Sequence, residues 1–128
     1  MKIEGPLDLV IVEGWMLGFH PVSSDKIESN AMKKVNELLG QYKVWEDKYD
    51  SAIIIGADPE YVYEWREQAE KARRDAGEGA MTKEEVKTFC DRFMPSYQIY
   101  GSKLIEDGLA GVDESRTLKF MLNIDRSP

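Results

Sequence analysis

The sequence is poor in the residues that would mark a secreted, membrane or nucleic-acid-binding protein. Its 128 residues include one cysteine, Cys90, which cannot form an internal disulfide, so a reducing compartment such as the cytoplasm is expected. No apolar run is long enough to span a bilayer, and the first residues resemble neither a secretion signal nor a transit peptide. The formal net charge is −7, so a nucleic-acid partner is not expected.

A glycine-rich phosphate-binding loop is also missing. None of the 10 glycines opens a G-x-x-x-x-G-K-[ST] motif. Such a loop supplies the row of backbone N–H groups that holds the β-phosphate of a nucleotide. The sequence contains no replacement for it, and it offers no metal-ligand cluster and no Ser/His/Asp arrangement.

The composition, 42% hydrophobic and 32% charged, is typical of a globular chain and predicts a single domain over residues 1–128. Three short apolar runs without alternation predict strands buried on both faces, at about residues 8–13, 52–56 and 117–124. Helical patterns lie between them. This order predicts an α/β layered fold.

Helix signals are clearest in the middle of the chain. A first helix is predicted over about residues 32–48, with its apolar stripe on Val35, Leu38, Leu39, Tyr42, Trp45 and Tyr49. Asp58 and Pro59 predict the start of a second helix that runs to about Ala76, with its stripe on Val62, Trp65, Ala69, Ala72 and Ala76. Thr82 and Glu85 form a capping box that starts a third helix, expected to end near Pro95. A further helical piece is predicted from Ser96 to about Glu106.

The segment 8–14 combines an apolar strand with an acid at its end. Ligands gather at the carboxyl ends of strands in open α/β sheets, where Glu13 would point. This is the form of a Walker B element, whose acid orients a magnesium-bound water beside nucleotide phosphates. A strand that simply ends in a solvated glutamate has the same pattern.

Four arginines, Arg66, Arg73, Arg74 and Arg92, lie on the two helices that flank a flexible joint at residues 77–79. Arginines on a mobile helical hairpin suit a phosphoryl-transfer lid, because they neutralise charge on the transferred group. In this hypothesis Arg66 and Arg92 are catalytic, and Arg73 and Arg74 bind the nucleotide. The pairs Glu67–Lys71 and Glu70–Arg74 have (i, i+4) spacing, which is equally typical of a solvated helix face.

Several segments, read together, resemble the D-glycerate 3-kinase family. Residues 8–22, DLVIVEGWMLGFHPV, resemble its "EGWMLGF-P" segment, and residues 62–70, VYEWREQAE, resemble its "WR-x-QAE" helix. Residues 79–89 and 92–97 resemble its "EEV-x-x-F-x-x-R" region, and residues 123–128, NIDRSP, resemble its closing segment. The resemblance runs in order over nearly the whole chain.

The resemblance implies a P-loop kinase that phosphorylates D-glycerate to 3-phosphoglycerate with Mg²⁺ and ATP. It implies a three-layer sandwich in which residues 59–106 include the helical lid. Glu13 matches the Walker B-type acid and would hold Mg²⁺ through water. Arg66 and Arg92 match arginines of the lid region. Gly14 and Trp15 would lie beside the small-molecule substrate.

The sequence departs from this family in lacking the half that bears the Walker A loop. In the family's sheet order, 2-3-1-4-5, the missing strand would lie between the strands at 8–13 and 52–56. Two apolar strand edges would then face an empty slot, which is an aggregation liability. Two interpretations remain: the C-terminal portion of a kinase, inactive without a Walker A half in trans, or a degenerate stand-alone binding or regulatory module, with self-association as one option. A complete enzyme with another mechanism ranks below both.

Overall fold

The structure, a computed structural model, describes residues 5–14 and 16–128. Trp15, predicted beside the substrate, lies outside the described residues. The side chain of Trp45, predicted on the stripe of the first helix, also lies outside them. Within the described part of the chain, no helix is long and apolar enough to cross a membrane.

The described residues form an α/β fold, as the sequence predicts. We label the helices α1 (Asn30–Leu39), α2 (Tyr61–Asp75), α3 (Lys83–Ser96) and α4 (Ser102–Asp107), and the strands β1 (Ala52–Ala57) and β2 (Thr117–Leu122). Short 3₁₀ turns occupy Ser24–Lys26, Gly40–Lys48 and Glu114–Arg116. A π-helical turn, Tyr97–Gly101, joins α3 to α4.

Strands β1 and β2 form a two-stranded parallel sheet whose two faces differ. On the inner face Ile54 is buried, and Lys119 Nζ donates a hydrogen bond to the carbonyl of Glu106 in α4, at 3.0 Å. A methyl group added at Gly56 would come within 2.7 Å of Ile105 Cδ1, so glycine allows α4 to pack closely on β1. The outer face consists of Ile53, Ile55, Leu118 and Phe120, and all four are exposed.

The predicted strand at residues 8–13 is wrong for this structure. These residues form no strand, and Leu9, Val10, Ile11 and Val12 have exposed fractions of 49–80%. A strand exists only when its backbone groups pair with a neighbour, and the described residues offer this segment no partner. Two strands therefore replace the predicted three, and the predicted three-layer sandwich is not confirmed.

The main core lies where the 16–27 loop meets α1 and the π-helical turn. Phe19, Ile27, Met32 and Tyr100 are buried together. The Phe19 ring lies 6.3 Å from Tyr97 and 5.9 Å from Tyr100, centroid to centroid. The buried Asn36 side chain both accepts from Val22 N and donates to Val22 O, each at 2.9 Å. Asn36 thereby holds the loop against α1 and satisfies polar groups that burial would otherwise penalise.

Two helical stripes differ from their predictions. In α2 the alanines at 69 and 72 are exposed, as is Ala76 directly after it, and the one buried residue of α2 is Glu70. In the first helix Leu38 and Tyr42 are exposed, and α1 gives way to a 3₁₀ turn at Gly40. Periodicity marks the apolar side of a helix, but burial requires a neighbouring element, and none of the described residues covers these positions.

Helix α3 ends at Ser96, next to Pro95, as the sequence predicts, but the chain stays helical beyond that point. The helix continues to Ser96, and the wider π-helical turn carries the chain into α4 without a break. Proline lacks an N–H, and a π turn is one way for a helix to absorb a changed hydrogen-bond pattern. Met94 at the end of α3 and Tyr100 within the turn are both buried, so tertiary packing supports the helical path past Pro95.

The exposed run 9–12 gives a first prediction. In hydrogen–deuterium exchange of the isolated monomeric chain, the amides of residues 9–12 should exchange almost as fast as in an unstructured peptide, because they donate to no described acceptor. The amides of the buried side of α3, around Val86 and Cys90, serve as the protected control. Strong protection of 9–12 in the monomer would contradict this structure.

Candidate functional site

Helices α2 and α3 form a hairpin around an open groove of about 500 Å³. The turn between them is fixed by the predicted capping box: Glu85 N donates to Thr82 Oγ1 at 3.2 Å, and Thr82 N donates to Glu85 Oε2 at 2.8 Å. Gly77, with φ of +75°, lets the chain leave α2 in the left-handed region. The groove is lined by Arg66, Glu70, Arg73, Gly79, Ala80, Met81, Glu85 and Phe89.

Glu70 is the centre of this groove, and only 1% of it is exposed. Its Oε2 accepts a hydrogen bond from Met81 N at 2.9 Å, which ties α2 to the turn before α3. Its Oε1 lies 2.6 Å from Arg66 Nη2, and its Oε2 lies 3.7 Å from Arg73 Nη1. One buried carboxylate therefore orients two of the four arginines that the sequence singled out.

The surroundings of Glu70 favour its ionised form. The Met81 N–H lowers the pKa of the carboxyl group below its usual value, and the charges of Arg66 and Arg73 lower this pKa further, against the opposing effect of burial. Glu78 and Glu85 also border the arginines, and Glu78 Oε2 lies 3.4 Å from Arg73 Nε. The groove therefore contains both acidic and basic side chains, and the glutamates partly neutralise the charge of Arg66 and of Arg73.

Arg66 keeps unused hydrogen-bonding capacity. Its Nε is buried and has no partner among the described residues. Its guanidinium lies 5.1 Å from the centre of the Phe89 ring, which holds the group in place from one side. The rest of the Arg66 side chain is 39% exposed at the groove, and this exposed part is suited to an anionic ligand, because a planar guanidinium matches the oxygens of a phosphate or carboxylate.

Comparison with known proteins shows what the chain is similar to. No family model matches the chain. It is 38% identical over 131 residues to the chloroplastic D-glycerate 3-kinase of Arabidopsis thaliana, a match that covers 99% of the chain. The solved structure of D-glycerate 3-kinase from Cryptococcus neoformans var. grubii superposes on 99% of the chain, with a TM-score of 0.85 and 31% identity. The chain is homologous to the D-glycerate 3-kinases. The predicted resemblance is confirmed.

These glycerate kinases are longer than the chain. The matches cover 29% of the Arabidopsis protein and 50% of the Cryptococcus structure. A probable ATP-dependent kinase of Saccharomyces cerevisiae is 32% identical over 126 residues, which cover 91% of the chain and 43% of that protein. The chain thus spans half or less of each relative.

The four arginines that the sequence singled out separate into two groups. Arg66 and Arg73 come together on Glu70, as described above. Arg74 is engaged elsewhere: it pairs with Glu67 and donates to the carbonyl of Met81. Arg92 is exposed on α3, and the structure gives it no hydrogen bond or ion pair within residues 5–14 and 16–128.

Glu13 and Gly14 lie apart from these arginines in the contacts of the structure. Both are exposed at the end of the unpaired run, and Gly14 O accepts a hydrogen bond from Leu17 N at 3.1 Å. No hydrogen bond or ion pair joins Glu13 to any of the described arginines. Among the described residues, no group of three or more His, Cys, Asp or Glu side chains could hold a metal ion.

Sequence reasoning missed the role of Glu70. The spacing predicted the ion pairs Glu70–Arg74 and Glu67–Lys71 on a solvated face. In the structure Arg74 pairs with Glu67, and Lys71 Nζ lies 2.6 Å from Asp75 Oδ2. The available signal was the "WR-x-QAE" segment, which places Arg66 and Glu70 four residues apart, but spacing alone does not show which partner a buried side chain takes.

The C-terminal segment packs on the same helix. Trp65 Nε1 donates to the carbonyl of Ile124 at 2.6 Å, and Arg126 Nη2 donates to Gln68 Oε1 at 3.0 Å. The Arg126 guanidinium also lies 5.3 Å from the centre of the Trp65 ring. Two segments that carry the glycerate kinase resemblance, the α2 helix and the closing residues, are therefore in direct contact.

The ionised Glu70 gives a second prediction. A carboxyl group whose pKa is lowered by folding stabilises the fold above its unfolded pKa, and this contribution is lost as the pH falls through the folded pKa. Glu70→Gln should therefore lower the thermal unfolding temperature at pH 7, and the deficit should shrink below about pH 4. Circular dichroism melts over a pH series measure both effects.

Glu64→Gln is the matched control for this experiment. Glu64 lies on the same helix but is exposed, and its Oε1 accepts only from the neighbouring Gln68 amide, at 3.0 Å. This control should unfold close to the wild-type temperature at every pH. If Glu70→Gln behaved like Glu64→Gln, the carboxylate would not hold the hairpin together.

Proposed function

We propose that the chain is the portion of a D-glycerate 3-kinase-like small-molecule kinase that carries the lid arginines and the Walker B-type acid. The reaction would transfer the γ-phosphoryl group of ATP to D-glycerate and yield 3-phosphoglycerate. The observation that carries this proposal is the 38% identity over 99% of the chain to a D-glycerate 3-kinase. The groove of α2 and α3 supports it with chemistry suited to a phosphoryl group.

In this proposal Arg66 and Arg73 contact the transferred phosphoryl group. Arg66 lines the groove with a side chain that is 39% exposed, and Arg73 is half exposed and able to exchange Glu78 for a ligand oxygen. Glu70 is a positioning residue, because its ion pairs fix the direction of both guanidinium groups before any ligand arrives. Arginines held in this way stabilise charge without further reorganisation.

The fit to ATP and Mg²⁺ is partial. The groove supplies donors for a phosphoryl group, but the sequence supplies no glycine-rich row of amides for the β-phosphate. Mg²⁺ accepts one or two carboxylates together with waters and phosphate oxygens, and the exposed Glu13 is suited to orient one of those waters. When bound, the ion would neutralise charge on the phosphates. Tight ATP binding by this chain alone is therefore not expected.

Two sites from the sequence stay predictions. Arg92 and Arg74 are the remaining lid arginines; Arg92 is free to reach a ligand, whereas Arg74 would first have to leave Glu67 and Met81. Gly14 and Trp15 remain candidates for the substrate side by their place after Glu13. The cytoplasmic location, inferred from the lone cysteine, also stays a prediction.

A chimera tests the function directly. This chain would replace the matched segment of the Arabidopsis D-glycerate 3-kinase, so that the rest of that enzyme supplies what the chain lacks. We expect ATP-dependent phosphorylation of D-glycerate by the chimera and none by the chain alone, measured by coupled detection of ADP and by identification of 3-phosphoglycerate. A folded but inactive chimera would favour the alternative of a stand-alone binding module. Activity of the chain alone would contradict the proposal.

Glu13→Gln in the active chimera tests the Walker B-type role. The amide cannot serve as a charged anchor for a metal-bound water, so turnover should fall about 10- to 100-fold with an unchanged unfolding temperature. Asp8→Asn is the matched control, since Asp8 is an exposed acid in the same segment and no role is assigned to it. Equal turnover of Glu13→Gln and Asp8→Asn would remove Glu13 from the mechanism.

A further inference from the structure

The chain turns back on itself directly after β2. Asn123 N donates a hydrogen bond to Ser127 O at 2.8 Å, and Arg126 N donates to Asn123 O at 2.9 Å. Within this turn Arg126 has a φ of +66°, a backbone conformation that is uncommon for residues other than Gly, Asn and Asp. A residue of this size persists there when the surrounding structure supports it.

The support for Arg126 comes from helix α2. Arg126 Nη2 donates to Gln68 Oε1 at 3.0 Å, and its guanidinium lies 5.3 Å from the centre of the Trp65 ring. Trp65 Nε1 in turn donates to the carbonyl of Ile124 at 2.6 Å. We call these four residues, Trp65, Gln68, Ile124 and Arg126, the C-terminal latch. It joins parts of the chain that are 58 and 59 positions apart.

The C-terminal latch lies at the edge of the sheet where both strands end. Ala57 pairs with Leu122 in the parallel register, so α2 and the C-terminal segment leave the sheet from the same edge. Only residues 58–60 separate β1 from α2, and Tyr61 N donates to the carbonyl of Asp58 at 3.0 Å in this turn. The turn fixes where α2 begins, and the latch gives the helix a second attachment to the same edge, which sets its direction.

A change in the direction of α2 would move the whole groove. Tyr63 Oη donates to Asp91 Oδ1 at 2.7 Å, and Met81 N donates to Glu70 Oε2 at 2.9 Å, so α2 and α3 are tied together at both ends of the hairpin. With a helical rise of about 1.5 Å per residue, Arg73 lies about 18 Å from the start of α2, and a tilt of about 10° would shift it by about 3 Å. A displacement of about 1 Å is enough to cost about 100-fold in the rate of a catalysed step.

We propose that Arg126 is a positioning residue, which acts through the C-terminal latch to fix the direction of α2 and thereby the places of Arg66 and Arg73. This inference rests on the proposed function for the role of those two arginines in phosphoryl transfer. The mechanical part, the hold of Arg126 on Trp65 and Gln68, is a property of the chain by itself. A direct contact between Arg126 and a ligand is the competing explanation, and the experiments below separate the two.

A distance measurement on the isolated chain tests the mechanical part. Spin labels would be attached to Lys83→Cys, beside the hairpin turn, and to Glu114→Cys, just before β2, both at exposed positions. Cys90 is 3% exposed and should not react with the label. We expect pulsed electron paramagnetic resonance to show one narrow distance distribution, because the latch holds the hairpin in one direction relative to the sheet.

Arg126→Gly should broaden this distance distribution. The substitution removes the side-chain contacts, and glycine adopts a positive φ readily, so the variant should unfold near the wild-type temperature. Arg116→Ala is the matched control, since Arg116 is an exposed arginine next to the opposite end of β2, and its distribution should stay narrow. An unchanged distribution in Arg126→Gly would overturn the inference.

Kinetics in the active chimera test the positioning role. Arg126→Gly should lower kcat by about tenfold or more and leave the KM values for ATP and D-glycerate within about twofold, because misdirected arginines stabilise the transition state less. Arg126→Lys keeps the charge and the reach to Gln68, so it should recover part of the lost turnover. A raised KM for ATP with unchanged kcat would instead indicate direct contact with the nucleotide and would overturn the positioning role.

A double-mutant cycle with Trp65→Leu separates the two explanations further. If Arg126 acts through Trp65, Arg126→Gly should change kcat by no more than about twofold once Trp65 is replaced. An equal loss of kcat in both backgrounds would show that Arg126 acts without the latch and would overturn the inference. An inactive chimera would refute the kinase proposal, and the distance distribution of the isolated chain would still decide whether the latch exists.

Discussion

The arrangement of the candidate site depends on one buried carboxylate. Glu70 accepts the backbone N–H of Met81 and pairs with Arg66 and Arg73, so it joins the end of α2 to the start of α3. A buried charge without partners would be costly, and this requirement fixes both the turn and the directions of the two guanidinium groups. The groove exists because these three interactions converge on a single side chain.

Helix α2 lines the groove with one side and contacts the C-terminal segment with another. Glu70 and the arginines at 66 and 73 face the groove, while Trp65 and Gln68 bind the C-terminal segment through Ile124 and Arg126. Because this segment follows directly from β2, the position of the sheet and the position of the groove are coupled through one rigid helix. A ligand in the groove would in this way be held in a defined place relative to the carboxyl end of β2, where ligands bind in parallel sheets.

The sheet of β1 and β2 has one covered face and one face that the described residues leave exposed. Helix α4 packs on the inner face through Ile105 and Glu106, whereas no described residue covers the apolar outer face or pairs with the run 9–12. The lack of a described neighbour accounts for two features together: residues 8–13 form no strand, and Ile53 and Ile55 of β1 are exposed.

The sequence by itself determined the α/β class, the strands at 52–56 and 117–124, the capping box of Thr82 and Glu85, and the kinship with D-glycerate 3-kinases. These depend on local chemistry or on residue identity, which a sequence displays directly. Tertiary structure alone decided that Glu70 pairs with Arg66 and Arg73 and not with Arg74, that a π-helical turn joins α3 to α4, and that 8–13 is not a strand. Each of these outcomes depends on which groups surround a residue in space, because burial and strand pairing require a partner that the local sequence does not identify.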